Sequence, residues 1–143
     1  MSAIGYLDVF FRLGAAVLAG AIIGFDREIR DKPAGLRTLT LVSLGSAVFV
    51  LTALGSGGTA DATSRVIQGI ITGVGFLGAG TIIRGRDEQS VRGLTTAASV
   101  WLAAAIGVAC ALAYWPVVLA GSMFGLLVLA LEGFEARLKS GLK

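Results

Sequence analysis

Long apolar runs alternate with short polar breaks along this chain. From residue 13 to 25 every position is apolar or glycine, and the charged stretch DREIRDKPAGLR follows at 26–37. Apolar sequence resumes to 54, gives way to the polar loop GSGGTADATS at 55–64, and continues as a glycine-rich run to 83. A basic loop at 84–92, an Ala-rich run to 113, a break at Pro116 and a last apolar run to 131 complete the pattern. Runs this long and this poor in charge are membrane helices. The pattern predicts an all-α, polytopic membrane protein with five transmembrane helices, over about 7–29, 38–54, 65–83, 93–113 and 115–132. Together they form a single transmembrane domain over residues 1–143.

The breaks carry their own signals. Asp26 and Arg30, Arg27 and Asp31, and Glu28 and Lys32 are spaced i,i+4, which extends helix one beyond the hydrocarbon. Pro33 and Gly35 then turn the chain. Arg12 sits inside the first apolar run and is expected to snorkel to the interface. Ala19-Gly20-Ala21 looks like a signal-peptide cleavage site, but no Lys or Arg precedes Arg12, so the segment reads as a retained helix. The hydroxyls of Thr38, Thr40, Ser43, Ser46 and Thr52 mark a face of helix two turned towards other helices. Ten of the twelve Lys and Arg residues fall in the loops after helices one and three and in the tail, against Arg12 and Arg65 elsewhere. The positive-inside rule therefore predicts an N-terminus outside and a C-terminus in the cytoplasm.

Composition sharpens this. Hydrophobic residues make up 55% of the chain, charged ones 15%, and the mean hydropathy is +0.85. A soluble domain carries about 25% charged residues, so the lipid bilayer is the solvent. A net charge of +3 belongs to the loops and does not imply nucleic acid. There is no histidine and one cysteine, Cys110. That removes internal disulfides, Cys-based metal cages and the usual general base. With no Ser/His/acid or Cys/His set available, an enzyme is not expected, nor a resident cofactor.

Glycine is the conspicuous residue. Gly73, Gly75, Gly78 and Gly80 form GVGFLGAG, a G-x-G-x-x-G match that lacks the strand and βαβ context of a dinucleotide site. The pairs Gly20/Gly24, Gly69/Gly73 and Gly121/Gly125 place small residues on one helix face and predict close helix packing. Glycines 73 to 80 also fall on several faces, so a helix broken at mid-depth, as in transporters, is the alternative. Asp26, Arg27 and Glu28 read either as a solvated interfacial cluster that balances its own charge or, in the functional reading, with Asp26 and Glu28 facing inward and pairing with Arg37 or Arg92 to lock the ends of helices one, two and four. These acids are weak candidates for hydrated Mg²⁺. Thr95, Thr96 and Ser99 open helix four, where hydroxyls usually bond to backbone or a neighbouring helix.

Four blocks in order and spacing, GFDREIRDKPAGLRTLTLVSLGSAVFVL, ITGVGFLGAGTIIR, VRGLTTAASVW and AAIGVACA, resemble the membrane domain of the MgtC/SapB family. The resemblance covers nearly the whole chain from helix one to helix five. It implies a bacterial inner-membrane protein linked to growth in low Mg²⁺ and, in pathogens, to virulence. Some members are thought to restrain ATP synthase through membrane contacts. The family motifs would fall on Asp26, Arg27 and Glu28, on Gly35 and Arg37 within AGLRT, on Gly73 to Gly80, and on Arg92, Gly93, Thr95 and Thr96. Many relatives add a soluble C-terminal domain, virulence-type members tend to carry Asn where Thr95 stands, and position 26 is often Glu. These departures favour the shorter, SapB-like branch. The expected partners are the bilayer, a second copy in a homodimer, and ATP synthase or another membrane protein. An oligomeric ion or small-solute transporter or channel is the rival function, and an assembly factor binding anionic headgroups through basic loops is a third reading.

Overall fold

The computed structural model describes residues 5–84 and 91–141, with 83, 84, 91 and 132–141 as backbone. Five helices follow in order: α1 (Tyr6–Glu28), α2 (Leu36–Gly55), α3 (Ala60–Gly80), α4 (Leu94–Ala111) and α5 (Trp115–Gly141). Between α3 and α4, Ile83–Arg84 (β1) and Val91–Arg92 (β2) pair as a short antiparallel ribbon. Most of the loop expected at 84–92 lies outside the described residues. Three helices, α1, α2 and α4, are long and apolar enough to cross a membrane, and the apolar part of α5, Trp115–Leu131, falls just short. α3 carries Asp61, Arg65 and Gln68 in its first half and does not meet that measure.

The helix bounds differ from expectation where polar groups decide them. α3 begins five residues before the expected 65, because the Thr59 side chain accepts a hydrogen bond from the Ala62 N–H and caps the helix. Asp61 and Arg65, 2.9 Å apart, then pair along its first turns. α1 stops at Glu28, and the chain is left-handed by Asp31 (φ 51°). α5 runs past 132 to Gly141, since the end of the apolar run does not stop a helix that its good helix formers can continue. The alternative of a helix three broken at mid-depth is not what the structure has. α3 is continuous through Gly73, Gly75 and Gly78, because glycine permits a break but, unlike proline, retains the N–H that holds the helix together.

α4 is the centre, packed against each of the other four helices. More than half of it is buried, twice the share of α1. Its small residues allow this. A methyl group on Gly107 would strike the carbonyl of Ser43, so α2 and α4 cross backbone against side-chain-free backbone. Ser43, fully buried, also donates to the Ala16 carbonyl at 2.8 Å and so joins α2 to α1. Gly20 and Gly24 seat α1 on the other side, where a methyl would lie 2.8 Å from Ser43 Cβ and 2.7 Å from Leu36 Cα. The packing expected of the Gly20/Gly24 pair is therefore present. That expected of Gly69 and Gly73 is not, for nothing lies within 4 Å of a methyl placed on either.

Candidate functional site

Two polar residues of the sequence motifs, Arg27 and Thr96, meet where α1 ends and α4 begins. The buried face of α1 is Ala16, Ala19, Gly20, Ile23, Gly24 and Arg27, a 3-4 spacing that carries Arg27 inward with the small residues. Arg27 is fully buried, and its Nη2 donates to Thr96 Oγ1 at 2.7 Å, in the first turn of α4. A buried guanidinium is tolerated only when it is hydrogen-bonded, so this contact ties α1 to α4. Thr96 is itself buried, and its carbonyl accepts from Ser99 Oγ at 2.7 Å.

The acids do something else. Asp26, part-buried, pairs with Arg30, four residues on, at 3.0 Å. Glu28 Oε2 accepts from the Leu36 N–H at 2.9 Å and caps the start of α2. The expected pairing of Asp26 or Glu28 with Arg37 or Arg92 is not found; both arginines are exposed, without an ion pair among the described residues. The lock between helices exists, but the inward residue is the arginine. Its spacing from Ile23, Gly20 and Ala16 was the signal that distinguishes it from its neighbours.

Two glycines make the geometry possible. Gly35 lies against the Glu28 carboxylate, and a methyl there would occupy the position of Oε2. Gly93 precedes α4 in the left-handed region, φ 94°, where a methyl would strike the Thr81 carbonyl at the end of α3. It sets the entry of α4 and hence where Thr96 falls; Thr95 points outward. A methyl on Gly78 would meet Ala97 of α4 at an ordinary 3.5 Å, while Gly75 and Gly80 have open space beside them.

At the opposite end a second arginine repeats the device. Arg12 Nη1 donates to the Ala111 carbonyl at 2.7 Å, and its Nη2 pairs with Asp8 at 2.7 Å. Rather than snorkelling, Arg12 caps the last turn of α4, where carbonyls lack helical partners. Positions 12 and 27 on α1, and 96 and 111 on α4, are fifteen residues apart on both helices. Two antiparallel helices are thus clasped in register at two points about 22 Å apart along their axes. Sequence reasoning missed this contact and the Gly107/Ser43 crossing, since each needs to know which helices are neighbours.

The hydroxyls of α2 divide. Thr40, Ser46 and Thr52 bond back to carbonyls four residues earlier, and Ser43 alone among these reaches another helix. No group of three His, Cys, Asp or Glu that could hold a metal comes together among the described residues. The arrangement fastens helix ends; among the described residues it presents no nucleophile beside a base.

The family model described as MgtC family matches residues 13–137. Protein SrpB of Synechococcus elongatus is 42% identical over 91% of this chain and 76% of its own length. Protein MgtC of Salmonella typhimurium is 45% identical over 76% of this chain, and Protein MgtC of Brucella abortus 48% over 68%. These matches span 46% and 40% of the Salmonella and Brucella proteins. No solved structure matches the chain.

Proposed function

This chain belongs to the MgtC family, and on that premise we propose that it is a non-enzymatic regulator of the bacterial inner membrane, serving adaptation to low Mg²⁺. In this reading all five helices span, with the N-terminus outside and the C-terminus in the cytoplasm, and Mg²⁺ is the physiological signal. The protein acts by laying α3 against a helix of a membrane partner, with ATP synthase the partner to test and a second copy the simplest assembly.

One observation supports the reading above others. Gln68, Thr72, Gly75 and Ala79 follow one another at i, i+4, i+7 and i+11 on α3, and all four are exposed. Small and weakly polar residues in such a stripe are what membrane helices use to approach one another. Gly20, Gly24 and Gly107 are spent on contacts between α1, α2 and α4, whereas nothing lies within 4 Å of a methyl placed on Gly75, which leaves this stripe open to an outside helix. Transport through a broken third helix has lost its structural ground, because α3 is continuous.

The test is a cross-linking pull-down from membranes of Mg²⁺-starved cells, comparing wild type with Gly75→Leu. Nothing lies within 4 Å of a methyl added at Gly75, and circular dichroism of Gly75→Leu checks that the variant keeps the fold. Recovery of ATP-synthase subunits with the wild type, lost with Gly75→Leu, is expected. Equal recovery from both, or recovery of the protein alone, would overturn the regulator reading.

A further inference from the structure

A groove of about 630 Å³ runs between α2 and α3, floored by Gly45, Gly69 and Gly73 and walled by Leu41, Phe49 and Leu77. It is a different face of α3 from the outer stripe. The hydroxyl within it, that of Ser46, is already spent on the Val42 carbonyl, so the groove offers no donor to a polar ligand. Its α2 wall lies in the middle of a helix long and apolar enough to cross the membrane. What reaches it is therefore hydrocarbon.

One turn before the groove on the same face of α2, the chemistry changes. Arg37 stands four residues before Leu41 and Thr38 four before Val42. These two line a separate polar hollow of about 590 Å³ that also includes Glu28, Asp31 and Lys32. Arg37 and Asp31 are both exposed there. A simple anion in this hollow would face two carboxylates, and a simple cation would face Arg37 and Lys32. A headgroup carrying both signs meets complementary charge at each.

We propose that α2 and α3 hold one phospholipid with an ethanolamine headgroup, an acyl chain in the groove between Gly45, Gly69 and Gly73, its phosphate on Arg37 and its ammonium on Asp31. The lipid fills the space that the α3 glycines leave open inside the chain. The site rests on α2 and α3 lying in the bilayer, but not on any partner of the outer stripe.

The experiment is native mass spectrometry of the full chain, purified in mild detergent and offered equimolar phosphatidylethanolamine and phosphatidylglycerol. Wild type should retain one phosphatidylethanolamine per protomer and prefer it to phosphatidylglycerol. Gly69→Leu projects a side chain into the groove from a Cβ position with nothing within 4 Å and should abolish retention of both lipids. Asp31→Asn should reduce the preference by roughly two- to fivefold, the weight of one surface charge pair. Arg37→Gln should weaken retention of both lipids, and soluble phosphoethanolamine should not bind. Retention unaffected by Gly69→Leu, preference for phosphatidylglycerol, or a dimer without lipid that Gly69→Leu dissociates would each overturn the proposal, the last by assigning the groove to a second copy. Release of the wild-type chain from membranes by alkaline carbonate would contradict the bilayer placement itself, a failure distinct from the loss of a partner in the pull-down.

Discussion

Gly107 and Gly73 sit in apolar helices of the same bundle, yet they are opposite in use. At Gly107 the absence of a side chain brings α4 onto the Ser43 carbonyl, and at Gly73 the same absence leaves a void. The first glycine, with Gly20 and Gly24, draws α1, α2 and α4 together around Ser43. The second belongs to a helix that rests on α2 and α4 and otherwise faces outward. Spacing says which glycines share a face; only the neighbour says whether that face is spent on the fold or left for something else.

Substitutions should separate the two regions by size and by sign. Gly107→Leu should have the largest effect, at least about 3 kcal/mol, because the clash is with backbone that cannot rotate away. Unfolding in detergent, followed by circular dichroism, measures it. Arg27→Met should follow at about 2 kcal/mol, the weight of a buried hydrogen bond from a charged donor. Thr96→Ser, which keeps the acceptor, should lose much less than Thr96→Val in the same assay. Gly35→Ala displaces the Glu28 carboxylate from the Leu36 N–H, and a loss of about 1 kcal/mol, as for other helix caps, is expected. At the small end, Gly75→Ala should leave stability within about 0.5 kcal/mol of wild type.

Much of this was legible in the sequence, for reasons that also explain the rest. Apolar runs gave the five helices, since hydrocarbon length and backbone satisfaction leave little choice. The Gly20/Gly24 packing was readable, and so was the existence of a lock at the ends of helices one, two and four. The roles within the lock were not assigned correctly. Asp26 and Glu28 were expected inside because acids beside a bilayer attract attention, whereas the spacing from Ala16 through Ile23 reaches Arg27. Arg12 meeting Ala111 could not be read at all, because its partner lies ninety-nine residues away and depends on the antiparallel register of α1 and α4. Gly69 and Gly73 looked like a packing pair for the same reason that Gly20 and Gly24 did. Nothing local distinguishes a glycine that a neighbour occupies from one it leaves empty.

The most direct measurement is one substitution made at two places: Gly107→Ala and Gly73→Ala, unfolded side by side in the same detergent. With helix propensity common to both, the difference reports the neighbour alone. Gly107→Ala should destabilise by about 1–3 kcal/mol through overpacking, while Gly73→Ala should be neutral or stabilise by up to about 1 kcal/mol. Equal losses at the two sites would contradict the account, because Gly73 would then be as closely packed within the chain as Gly107.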